Sequence, residues 1–148
     1  MPHSPRWHDG RLYVLESGAG SLAMVDPATG RLDTVALLPG FTRGLDFFGP
    51  FAFVGLSQVR ESALFSGIPI TERLPVERRC CGVWVIDTRS GDTVAFLRFE
   101  AGVQEVFAVQ VLPGLRYPEV LTDDHAAVAA AFLLPDEALA AVPAGHQD

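Results

Sequence analysis

The sequence predicts a mainly β chain built from four-stranded antiparallel units, and three observations predict it. Short runs of β-forming residues alternate with turns rich in glycine and proline. One hairpin pattern occurs twice. Apolar residues make up 49% of the 148 residues and charged ones 20%, the composition of a folded domain and not of a disordered chain.

The strands follow in order. Arg11 to Glu16 is a run of β-formers, closed by the turn Ser17-Gly18-Ala19-Gly20. Leu22 to Val25 is the next strand. Asp26-Pro27-Ala28-Thr29-Gly30 is its hairpin loop, with Pro27 fixing φ and Gly30 taking a left-handed position. Asp33 to Leu38 returns and stops at Pro39-Gly40. Gly44 to Phe48 and Phe51 to Leu56 flank Gly49-Pro50. Val83 to Ile86, the loop Asp87 to Gly91 and Asp92 to Phe99 repeat the hairpin. Val106 to Leu112 begins a further unit and ends at Pro113-Gly114.

The repeat carries the architecture. Val25-Asp26-Pro27-Ala28-Thr29-Gly30 matches Ile86-Asp87-Thr88-Arg89-Ser90-Gly91. With two loop residues dropped, Asp33-Thr34-Val35-Ala36 matches Asp92-Thr93-Val94-Ala95. Leu38-Pro39-Gly40 returns as Leu112-Pro113-Gly114. An insertion over residues 57–79 stretches the second copy; without it the period is about 40 residues, that of a four-stranded propeller blade. The expected fold is a partial β-propeller of two blades plus a strand over residues 1–118, with a short α-helical tail over 119–148.

Further residues carry a resemblance. Ser4-Pro5-Arg6-Trp7, Gly10-Arg11-Leu12-Tyr13-Val14, Leu38-Pro39-Gly40-Phe41-Thr42-Arg43-Gly44 and Phe53-Val54-Gly55-Leu56-Ser57 with Arg60-Glu61 are the first part of it. Cys81-Gly82-Val83-Trp84-Val85-Ile86-Asp87 and Gln104-Glu105 through Leu112-Pro113-Gly114 continue it. Together they resemble an uncharacterised bacterial conserved hypothetical family, a domain of unknown function. The resemblance implies a propeller-like fold, occasional company of tetratricopeptide repeats, further blades upstream and no established activity. It fades after about residue 118.

Two blades and one strand do not close a propeller, which takes about four to eight. The expectation is therefore a truncated gene product, an assembly with further copies or with a partner completing the ring, or an edge covered by the tail. In that tail Thr122 can cap a helix that Asp123 and Asp124 favour electrostatically. That helix would run to Leu134, and Pro135 would separate it from a second short one.

Charge excludes some functions. The net charge is −7, with eleven Arg, no Lys and no clustered basic run, so no nucleic-acid surface or anionic-membrane patch is expected. Residues 119–148 hold six acidic side chains and no Arg, so the acidity belongs to the tail and the body is near neutral. Met1 to Gly10 holds no apolar core, so no signal peptide is expected there, and the longest apolar run, Ala126 to Leu134, is about half a membrane span. The only cysteines, Cys80 and Cys81, are adjacent and read as structural thiols in a reducing, cytoplasmic compartment. No phosphate loop, nucleophile elbow, zinc spacing or dinucleotide fingerprint is present, so no catalytic residue, metal or cofactor is expected.

Propellers bind ligands at the channel or its rim. Arg6, Arg43 and Glu105 are expected at equivalent stations of successive inner strands, with Asp46 beside them. Arginine suits a carboxylate or phosphate, so a small polar or anionic ligand, or a protein, is the expected partner. The plainer reading of these charges is a salt bridge between blades. His8, Arg60 and Glu61 are rim or loop candidates. The insertion is either a lid over the channel or an edge packed on its own blade, and Arg78-Arg79 reads as a solvated corner. A second class, a lactonase- or esterase-like hydrolase, would use Glu105, Asp46 and His8, with Gln104 or Gln110 in place of the amide that the Asn-free chain lacks.

Overall fold

The computed structural model describes residues 2–58, 67–116 and 118. The chain divides into a compact unit Met1–Pro113 and a second, Gly114–Asp148; the elements below lie in the first. The expected tail helices at 119–148, and Arg60 and Glu61, fall outside the described residues.

The fold is mainly β, as expected, and its sheets are open. Strands β1 (Pro2–His8), β2 (Arg11–Glu16), β3 (Ser21–Val25) and β4 (Leu32–Leu37) form one four-stranded antiparallel sheet in sequence order. Strands β5 (Phe41–Phe48), β6 (Phe51–Ser57), β7 (Gly82–Asp87) and β8 (Thr93–Arg98) form a second in the same way. Every ladder but that of β6 with β7, which the insertion joins, follows from a tight connection of turn-forming residues, which forces antiparallel neighbours.

Period-two alternation decides what each sheet buries. On β6, Ala52, Val54 and Leu56 are fully buried, while Phe51 and Phe53 on the opposite face are half-buried. On β7, Trp84 and Ile86 lie beside that buried row, through the pairs Val54 with Trp84 and Ala52 with Ile86. These five side chains and Leu45 pack against Tyr13, Leu15, Leu22 and Ala36 of the first sheet, forming one core between the two sheets. Each large apolar side chain so buried contributes about 1.5–3 kcal/mol. The His8 ring stacks on Phe47 at 4.3 Å and Tyr13 meets Phe47 at 5.0 Å, so aromatic contacts pin the junction where β1 adjoins β5.

The two hairpins close alike. Asp26 N–H donates to Arg31 O and Gly30 N–H to Asp26 O; Asp87 N–H donates to Asp92 O and Gly91 N–H to Asp87 O. The loops therefore have equal length, and no residues are dropped between them. The shared Asp-Thr-Val-Ala is offset in register: Asp33 pairs with Met24, whereas Asp92 closes its loop. Bulges fall at different places, near Thr34 in the first sheet and near Thr93 in the second, and the offset persists beyond them.

Three further expectations change. Residues 103–112 belong to no strand ladder, although Val106 to Leu112 reads as a strand. A strand is defined by a laddered neighbour, and among the described residues no strand is laddered with this segment. The insertion holds a short helix, α1 (Pro69–Arg73), and a 3-10 turn, Val76–Arg78. Its described part from residue 67 on meets the first sheet: Ile70 is fully buried, and its N–H donates to Gly18 O at 2.9 Å. The Arg73 guanidinium donates to Ala19 O at 2.9 Å and Leu38 O at 2.8 Å. Gly20, at φ 67°, lies so close that a Cβ there would stand 2.6 Å from Ile70 Cδ1. Finally, Arg78 is exposed as expected but Arg79 is buried, 4% exposed, with its Nε donating to Leu74 O, so only half of the pair is a solvated corner.

Candidate functional site

The site is best built from the strands that open each sheet. Trp7 pairs with Leu12 and His8 with Arg11; Phe47 pairs with Ala52 and Phe48 with Phe51. The two strands therefore superpose station by station, and both carry a bulge at the same place, between His3 and Arg6 and between Thr42 and Leu45. Each bulge holds a residue at positive φ, Ser4 at 50° and Gly44 at 80°. The two bulges touch, with Gly44 N–H donating to Ser4 Oγ at 3.3 Å.

This register corrects the expected stations. Arg6 stands opposite Tyr13 and Asp46 opposite Phe53, so Arg6 and Asp46 are equivalent and Arg43 matches His3. Because both bulges fall at the same place, the two strands keep one offset of forty residues throughout, and Arg6 and Arg43, thirty-seven apart, miss it.

A contact between neighbouring units also recurs. Ser17, which follows β2, donates its hydroxyl to Thr42 O at 2.6 Å. Ser57, at the same point on β6, donates to Val106 O at 3.1 Å and accepts Val106 N–H at 2.9 Å. Val106 thus takes the place beside the second sheet that Thr42 takes beside the first. Counting on, Ala108 matches Gly44 and Gln110 matches Asp46. The fit is close: a Cβ on Gly44 would lie 2.7 Å from Val109 N, and one on Gly55 2.7 Å from Val106 Cγ1. Glycine at both positions lets the segment lie on the sheet.

The charged candidates serve this junction. The Asp46 carboxylate accepts Val111 N–H at 2.6 Å and Gln110 Nε2–H at 2.9 Å. The Arg43 guanidinium lies over the Phe107 ring at 4.0 Å, a cation–π contact. His8 Nε2 lies 2.8 Å from Gly49 O and so carries the proton there. Arg6 is exposed and, among the described residues, donates to its neighbour's carbonyl, Pro5 O, at 3.3 Å; Glu105 is exposed. The structure therefore brings Arg43 and Asp46 together with residues 107–111, places His8 at the junction of β1 and β5, and leaves Arg6 and Glu105 at the surface. The two thiols are unlinked; Cys81 is buried, and burial pushes its pKa up.

Sequence reasoning missed the largest feature, the outer face of the second sheet. Phe53, Val83, Val85 and Leu97 stand at the stations of Tyr13, Leu22, Met24 and Ala36. In the first sheet this face is covered: Leu22 is 0% exposed and Ala36 7%. In the second, Val83 is half-buried and Leu97 57% exposed. Phe107 is 72% exposed beside it. Aligning Ser17 with Ser57 would have placed these residues, because both serines close the second strand of their unit.

Among the described residues no helix is long and apolar enough to cross a membrane. A family model described as Domain of unknown function (DUF4915) matches residues 1–121. No curated protein and no solved structure matches the chain.

Proposed function

The chain belongs to that family, and on this premise we propose that it is a non-catalytic binding module of β-propeller type. In this reading the two sheets are successive blades and residues 103–112 are the inner strand of a third. The module takes a protein partner on the outer face of the second sheet.

One observation carries the reading. The hydroxyl contact from Ser17 to Thr42 is repeated one unit on, from Ser57 to Val106. Units that follow one another with the same contact form a series, and the exposed apolar face of the second sheet is where the partner sits in this reading. Contiguous exposed apolar surface of this kind marks interaction sites. Binding is favoured over a lactonase- or esterase-like reaction because Asp46 and His8, the groups such chemistry would use, each engage a neighbouring backbone. The same engagement favours a protein over a small anion, since Asp46 and Arg43 hold the segment instead of offering free charge. The reducing, cytoplasmic setting read from the cysteines fits this role and is part of the proposal.

The test is binding of the dye 8-anilinonaphthalene-1-sulfonate to the native chain. Dye fluorescence should be enhanced while unfolding stays cooperative. Leu97→Glu, a charge on the exposed face, should cut the enhancement at least several-fold without loss of the fold. A native chain that leaves the dye dark, or an enhancement that Leu97→Glu does not change, would contradict the reading.

A further inference from the structure

The hairpin ends of the two sheets differ in one fastening. In the second sheet the β7–β8 loop is tied to the β5–β6 turn: Thr88 N–H and the Thr88 hydroxyl both donate to Pro50 O at 2.9 Å. In the first sheet the turn Asp9-Gly10 takes the place of Gly49-Pro50, and Pro27 takes the place of Thr88. Proline has neither an N–H nor a hydroxyl to give. Among the described residues nothing replaces that bond on Gly10 O. Where the second sheet is tied shut, the first has a cavity of about 390 Å³ with Gly10 and Pro27 in its wall. That volume lies in the range of small-molecule sites.

We propose that this cavity binds a neutral sugar ring, whose hydroxyls take the part that Thr88 plays in the second sheet. The site is separate from the partner surface described above and does not depend on it.

The lining sets the chemistry. Trp7 stands in the wall and is 64% exposed, whereas Trp84 is 7% exposed and stacked on Phe96. Leu12 and Val25 continue the apolar side. A flat indole beside aliphatic carbon suits the C–H face of a pyranose ring. The polar groups are of both kinds. Arg11 lines the cavity and donates to Met24 Sδ at 3.8 Å; among the described residues no carboxylate pairs with it. Gly10 O and the Asp26 carboxylate are the acceptors. Ala28 N–H at 2.9 Å and the Thr29 hydroxyl at 2.7 Å hold that carboxylate in place, and its oxygens keep lone pairs to spare. Asp33, also in the wall, is paired with Arg31 at 2.9 Å. One guanidinium against one carboxylate leaves the cavity without net charge, so neither an anion nor a cation is favoured. A hydroxyl both donates and accepts, so a sugar ring serves Arg11, Asp26 and Gly10 O together.

The probes are the methyl pyranosides of glucose, galactose, mannose and N-acetylglucosamine, added to the full nitrogen-15-labelled chain. The indole N–H resonance of Trp7 is followed, with that of Trp84 as the internal control. At least one glycoside should shift the Trp7 signal saturably below about 50 mM and leave Trp84 in place. Trp7→Ala, read on the backbone amides of Gly10 and Arg11, should weaken that glycoside at least about tenfold. Pro27→Thr gives the loop the donor that Thr88 supplies and should weaken it at least about fivefold while the chain stays folded. Arg11→Met, at an exposed position, should weaken it several-fold and keeps the test open if either other variant fails to fold. No saturable shift with any of the four glycosides would overturn the proposal. So would affinity unchanged in the folded variants. Tighter binding of acetate, of tetramethylammonium or of a decaproline peptide would also overturn it, because the cavity would then select a charge or a peptide.

Discussion

At the residue scale, the hairpin aspartates show how a turn becomes a pH-dependent element. Asp87 accepts the Arg89 backbone N–H at 3.0 Å and its guanidinium Nε–H at 2.9 Å. The Arg89 side chain, and then its backbone N–H, lower the Asp87 pKa from 3.8 to about 2. A carboxylate whose folded pKa lies below its unfolded one adds stability above the unfolded value. That contribution is complete above about pH 4 and fades as the pH falls through about 2. Arg89→Ala should move the Asp87 titration midpoint upward toward 3.8, read by carboxyl NMR shifts. An unmoved midpoint would assign the shift to the turn backbone alone. Asp26 shows the same direction, with the Thr29 hydroxyl as the leading cause. Both turns were legible in the sequence, because Asp at the first position and Gly at the last are demanded by local geometry.

At the element scale, the insertion behaves as a strap from the second sheet to the first. Ile70 is its buried anchor and Arg73 its polar one, each set against the turn between β2 and β3. Ile70→Ala removes a fully buried side chain and should cost about 2–4 kcal/mol. Chemical unfolding would read that loss, and proteolysis inside residues 67–79 should quicken. A loss below about 1 kcal/mol would mean that the helix only rests on the surface. The sequence did not reveal this strap. Ile68, Ile70 and Leu74 look alike as isolated apolar residues, and only the partner surface separates the fully buried one. The strands themselves were legible within a residue or two, since alternation and turn chemistry are local. Their register was not, because it depends on the partner strand and not only on a strand's own alternation. Arg43 was matched to Arg6, thirty-seven residues away, where the paired stations lie forty apart.

At the scale of the whole molecule, two sheets and one extended segment repeat a single mode of stacking. The first sheet is covered by the second, and the second is partly covered by residues 103–112. Each of these steps is fastened by a serine hydroxyl at the end of a strand. Apolar side chains exposed on a sheet face, Leu97 among them, invite association, and the binding-module reading rests on that surface. The candidate site was half legible. Arg43 and Asp46 were identified as residues near the inner strands. Their role in fastening a following segment was not, because it depends on Phe107 and Val111, which lie more than sixty residues away in sequence.

The seating of residues 103–112 is the hinge of this reading, and amide hydrogen exchange tests it most directly. Val106 N–H donates to Ser57 Oγ and Val111 N–H to the Asp46 carboxylate. Both amides should exchange roughly tenfold or more slowly than in the unfolded chain. Ser57→Ala should release Val106, and Asp46→Ala should release Val111, while the core amides of β6 and β7 stay protected. Exchange of both amides at unfolded-chain rates in the unmodified protein would show that the segment is not seated, and the third station would not exist.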